Sequence, residues 1–261
     1  KGGRRKKAAE KKIQSRPVVG ALSIMEARLF LRDPNYALNG LVGYVLFPFL
    51  VGFSLFGQDL PGNPLEFLSE IEIPPFFLPA GIALYFVAMV SMSMIPSTTF
   101  SREGRYLWFI RSLPVSLEEA VLARGLTAAG INLIGCLVGV LPAAYLAHWP
   151  WGGVIGGLLF GFILSLLWSF QLILWDLRRP MLDWDNPIRA VKSNLNAIVG
   201  SVFTVFLVVV LGIFTFRLAR GVYAWLVPLV LVAAALGIGA ANFYGLQKYG
   251  RKMWRRIEGG M

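Results

Sequence analysis

Six windows of the chain, residues 37–56, 76–96, 127–147, 154–174, 197–216 and 222–243, contain no Asp, Glu, Lys, Arg or His. Each is 20 to 22 residues long, and about 20 residues at a rise of ~1.5 Å cross a hydrocarbon core roughly 30 Å thick. Lipid offers no partner to a backbone N–H or C=O, so spans of this kind are helices. The chain is correspondingly 56% hydrophobic and 15% charged, where a soluble domain carries about 25% charged residues. The pattern predicts an all-α integral membrane protein with six transmembrane helices in three hairpins.

The formal charge of +11 would suit a nucleic-acid binder if the basic residues lined one surface. They follow the spans instead. Ten Lys and Arg precede the first window, four lie in 97–126, four in 175–196 and five after Phe243, all on one side of the membrane. The other side has two, Arg217 and Arg220. The positive-inside rule therefore places both termini in the cytoplasm. Tryptophan and tyrosine gather near span ends, as Trp149, Trp151, Trp175, Tyr223 and Trp225 do, which is the pattern of an interfacial belt rather than a base-stacking surface.

Three regions follow: a basic segment with an interfacial elbow helix over 1–36, the six-helix membrane domain over 37–243, and a basic cytoplasmic tail over 244–261. Glu26, Arg28, Arg32 and Asp33 interrupt the apolar stretch behind the basic leader, so no cleavable signal is read there. The basic run reads as an internal linker of a larger parent protein. Leu22, Met25, Leu29 and Phe30 alternate with Glu26, Arg28 and Arg32 in a pattern suited to a helix lying in the interface. Pro34 disfavours a helical Asp33 and predicts an elbow into the first span.

The two inner connectors carry the informative sequence. In the first, residues 101–112 predict a short cytoplasmic helix that Pro114 stops, and Ser116 followed by Glu119 predicts a capping box opening a long helix into the third span. In the second, Arg178, Arg179 and Pro180 close the fourth span, and Asp185, Asn186 and Pro187 predict the N-cap of another short helix. Gly153, Gly157 and Gly161 recur every four residues and predict a face on which a neighbouring helix packs closely.

Polar residues inside the windows are uncharged and read as interhelical hydrogen bonds: Asn39, Ser91, Ser93, Asn132, Ser165, Gln171, Ser201 and Thr204. An ion-coupled carrier places an ionisable group near the midplane, and the windows hold none. The chain has one histidine, His148, in an outer loop, and one cysteine, Cys136, within a span, so neither a metal cluster nor an internal disulfide is assembled from them. No Gly-rich phosphate loop of the Walker type is present.

Two stretches resemble a known family. Residues 100–116, FSREGRYLWFIRSLPVS, are similar to a segment S-R-E-G-x-x-x-W-x-x-x-S-L-P-[VI]-S, and 176–187, DLRRPMLDWDNP, with 190–196, AVKSNLN, are similar to D-L-x-R-P-x-L-x-W-x-N-P-x-x-A-x-K-x-N-x-N. Both resemble the permease subunits of bacterial ATP-binding-cassette exporters of the type-two class, in particular large exporter permeases whose full chains carry two such membrane halves. With the elbow at Arg32, Asp33 and Pro34, the likeness extends over nearly the whole chain and is to the C-terminal half of the longer protein.

The resemblance implies a non-catalytic permease in the bacterial cytoplasmic membrane, with ATP and Mg on a partner ATPase subunit and a second six-helix half or subunit beside it. It implies that short cytoplasmic helices dock on that ATPase, with Arg102, Glu103, Gly104, Arg105, Tyr106 and Trp108 as the first candidate contacts and Asp183, Trp184, Asn186 and Pro187 as the second. The alternatives are a secondary carrier and a membrane-embedded lipid-modifying enzyme using Asp59, Glu66, Glu70 or Glu72. The uniformly apolar spans select no cargo.

Overall fold

The computed structural model describes residues 17–56, 74–107, 112–184, 193–250, 252 and 254. Helix α1, Val18–Arg32, ends where Asp33 takes extended dihedrals of φ −95° and ψ 107°. The Asp33 carboxylate then accepts from the Tyr36 N–H at 3.3 Å, and α2, Pro34–Phe56, starts with proline where its missing N–H costs nothing. The elbow therefore lies where the sequence predicts it. Its inner face is different: Leu22, Glu26 and Phe30 are buried one turn apart, while Leu29 and Arg28 are exposed.

Helix α3, Phe77–Met92, leads into a 3-10 turn at Pro96–Thr98 and a second over Ser101–Tyr106. Helix α4, Leu117–Leu146, opens on the predicted capping box, with Ser116 and Glu119 each satisfying the other's backbone N–H. At 30 residues it is about 45 Å long, more than the roughly 30 Å thickness of a hydrocarbon core. Helix α5, Trp151–Arg178, follows after a short turn in which His148 is exposed. Helix α6, Leu195–Ala219, is capped by Asn194, whose side chain accepts from the Asn196 N–H at 2.9 Å. Helix α7, Val227–Gly245, ends in a π turn, Leu246–Gly250.

Among the described residues five stretches are long and apolar enough to cross a membrane: Phe77–Gly104, Leu117–Leu146, Trp151–Arg178, Leu195–Ala219 and Ala224–Gly250. The sequence leads one to expect six. Helix α2 runs for 23 residues, but the apolar part described side chain by side chain is the shorter Tyr36–Leu46. These helices suit a multi-pass membrane protein. Only 17% of the apolar window of α6 and 11% of that of α7 are buried, against 61% for Phe77–Gly104; an apolar surface of that extent is stable against lipid or another apolar chain and not against water.

The predicted glycine face is used inside the chain. Helix α5 packs along α3, and a Cβ at Gly153, Gly157 or Gly161 would meet Leu78 at 3.1 Å, Ile82 at 2.7 Å or Phe86 at 2.8 Å. Three glycines at four-residue spacing thus receive three side chains at the same spacing. Nothing lies within 4 Å of a Cβ built on neighbouring Gly152.

Polar span residues split between two roles. Tyr44 donates to Asn132 Oδ1 at 2.7 Å, and Asn132 Nδ2 donates to the Phe86 carbonyl at 3.2 Å, joining α2, α3 and α4. Trp168 Nε1 donates to Thr204 at 2.8 Å, and Ser91 and Ser201 reach across α3 and α6. Ser93 and Ser165 bond back within their own helices instead. Asn242, absent from the sequence expectation, donates from α7 to the Leu167 carbonyl at 2.7 Å.

Candidate functional site

One end of the bundle gathers the connector after α3, the start of α4, the end of α5 and the tail. Phe100, Leu107, Leu117, Val121, Ile173, Leu174 and Leu177 form a common apolar cluster, with Leu246 and Trp254 packed against it. Two polar assemblies fix the connector to this base.

The first centres on Asp176, fully buried near the end of α5. Its carboxylate accepts from the Phe100 N–H at 2.7 Å and the Ser101 N–H at 3.0 Å, from the Ser101 hydroxyl, and from Asn196 Nδ2 at 3.3 Å. Several donors on one carboxylate offset the cost of its desolvation. Ser101 Oγ in turn accepts from the Met181 N–H at 2.8 Å, and the Ser101 carbonyl accepts from Trp184 Nε1 at 2.8 Å. The connector after α3 and the connector after α5 are thereby tied to each other through Ser101.

The 101–106 segment is not the regular helix the sequence suggests. Gly104 breaks it with φ 50° and ψ −126°, dihedrals that a side chain disfavours. A Cβ there would also lie 2.7 Å from Cζ2 of Trp184. The glycine and the tryptophan of the two sequence motifs therefore meet face to face.

The second assembly is ionic. Arg102 pairs with Glu26 of α1 at 2.6 Å; Arg124 of α4 pairs with Glu103 and lies 3.3 Å from Glu26. The Arg124 guanidinium sits 4.3 Å from the Phe100 ring centroid, and Arg102 lies 5.4 Å from that of Tyr36. Two cations and two anions balance, as buried charges require. Glu103 Oε2, Arg102 Nη1 and Arg124 Nε nevertheless have no hydrogen-bond partner among the described residues, so the cluster leaves part of its bonding capacity unused there.

The sequence candidates divide accordingly. Arg102, Glu103 and Gly104 face inward and hold the connector against α1, α4 and Trp184. Asp183 is exposed and Trp184 half-buried. Arg105 and Tyr106 belong to the 3-10 turn, with their side chains outside the described set, and Trp108, Asn186 and Pro187 lie outside the described residues altogether. The outer-loop carboxylates Asp59, Glu66, Glu70 and Glu72 also lie outside them. Among the described residues no group of three or more His, Cys, Asp or Glu is placed to hold a metal.

Sequence reading missed Glu26 and Arg124 as parts of this site, and had Asp176 and Asn196 only as letters of the second motif, without a role. Arg124 and Asp176 fall just outside charge-free windows and so look like ordinary connector charges. A signal for Arg124 was available: the capping box starts α4 at Leu117, which puts Arg124 two turns inside a helix. Comparison with protein-family models, curated proteins and solved structures finds no match for this chain.

Proposed function

We propose that the chain is the membrane-spanning permease part of an ATP-driven exporter, with six spans in three hairpins and both termini in the cytoplasm. A separate ATPase supplies the energy, and a second six-helix half or subunit completes the pathway. The observation that carries this reading is the braced connector: the segment after α3 is tied by Asp176 and Trp184 to the connector after α5, and by Glu26 and Arg124 to α1 and α4. A push delivered there reaches four helices at once. A flexible loop would dissipate the same push.

The ionic cluster fits a moving joint. Its unused donors and acceptors leave alternative pairings open, so a small displacement of α1 against α4 exchanges one ion pair for another without exposing a bare charge. Arg102, Glu103 and Gly104 act as positioning residues, and Arg105, Tyr106, Trp108, Asp183, Asn186 and Pro187 are the contacts proposed for the ATPase.

The test is purification of the chain in mild detergent from its native membrane, followed by ATPase assay and reconstitution. A Walker-type ATPase present in stoichiometric amount, with turnover raised by the chain, is the expected result. Transport that persists without any ATPase and collapses with the ion gradient would overturn it.

A further inference from the structure

Between the end of α5 and the start of α6 lies a cleft of about 710 Å³ lined by Trp175, Arg178, Arg179, Asn194, Leu195 and Val199 among others. Its chemistry is that of an anion site backed by an apolar wall. Arg178 and Arg179 are exposed and form no ion pair with the described residues. The positive end of the 25-residue α6 opens on the same space.

The independent observation is Asn194. It lines the cleft, is 2% exposed, and caps α6 through its Oδ1, while its Nδ2 has no hydrogen-bond partner among the described residues. A buried amide donor without an acceptor carries an uncompensated desolvation cost, which an acceptor oxygen reaching it from the cleft removes. The nearby carboxylate of Asp176 does not supply it, being turned to Phe100, Ser101 and Asn196.

We propose that this cleft binds a phosphate group, with Arg178 and Arg179 pairing its charge and Asn194 Nδ2 donating to one of its oxygens. The exposed Leu195 and Val199 beside Trp175 give an acyl chain a surface to lie on, so the source favoured is an anionic phospholipid of the leaflet facing the basic side of the protein. The site depends on the membrane reading and not on the exporter reading.

The experiment is thermal unfolding of the detergent-solubilised full chain titrated with dioctanoyl phosphatidylglycerol, dioctanoyl phosphatidylcholine or inorganic phosphate. Wild type is expected to show saturable stabilisation by phosphatidylglycerol and little by phosphatidylcholine. The Arg178→Gln/Arg179→Gln pair should raise the half-saturating concentration by roughly tenfold or more, and Arg217→Gln/Arg220→Gln should leave it unchanged.

Asn194→Asp keeps an oxygen for the helix cap but replaces the donor with a carboxylate, and is expected to weaken binding as strongly while the ligand-free melting temperature holds. Stabilisation by inorganic phosphate with the same dependence on these variants supports the site and assigns it to a soluble phosphate. Equal response to both lipids, or titrations unaffected by the Asn194 and Arg178/Arg179 changes, would overturn the proposal.

Discussion

The indole of Trp184 lies against Gly104 so closely that a methyl group at 104 would sit 2.7 Å from its Cζ2 and 2.9 Å from its Nε1. Gly104→Ala must therefore both strain a backbone at φ 50° and displace the indole that donates to Ser101. A disfavoured dihedral of this kind costs about 1–3 kcal/mol. The expected outcome is a lower melting temperature in detergent and greater exposure of Trp184 to a soluble fluorescence quencher. A variant as stable as wild type would separate the two motifs that the structure joins.

The ionic cluster predicts unequal effects from its members. Arg124→Gln leaves Glu26 and Glu103 facing each other with Arg102 alone to balance them, whereas Glu103→Gln leaves Arg124 still beside Glu26. Breaking a buried pair from one side costs about 3–5 kcal/mol. Arg124→Gln should reach that range and Glu103→Gln fall below it. Glu103→Gln/Arg124→Gln should cost less than the sum of the two single changes, as denaturant or thermal unfolding of all four proteins would show.

Helix α5 offers its own control. Gly157→Leu drives a side chain into Ile82, and overpacking of this kind costs about 1–3 kcal/mol. Gly152→Ala, five residues earlier and facing open space, should be neutral or slightly stabilising because glycine is the poorer helix former. Equal melting temperatures for the two variants would contradict the packing of α5 on α3.

What the sequence made legible is local. The capping box at Ser116 and Glu119 spans four residues and is readable from their identities, as are the elbow at Asp33 and Pro34 and the repeat of Gly153, Gly157 and Gly161. The partners of those features are tertiary. Nothing in the spacing of Arg102 and Glu26, 76 positions apart, announces a pair, and the amphipathic reading of α1 sets Glu26 on its polar side when the demand of Arg102 and Arg124 buries it. Asp176 stood within a recognised motif, but its role as acceptor for Phe100 and Ser101 depends on α5 ending beside the α3 connector. The motif residues Glu103 and Gly104 likewise read as surface contacts until Arg124 and Trp184 are placed next to them.

The proposed function has the connector end of the bundle receive work from a separate ATPase. Its most direct measurement is ATP turnover by the co-reconstituted ATPase with wild-type chain, Trp108→Ala and Asp183→Arg, each first shown to insert and to melt as wild type does. Both variants are expected to lose most of the stimulation the wild-type chain gives, while the basal turnover of the ATPase alone stays the same. Undiminished stimulation by both variants would contradict it.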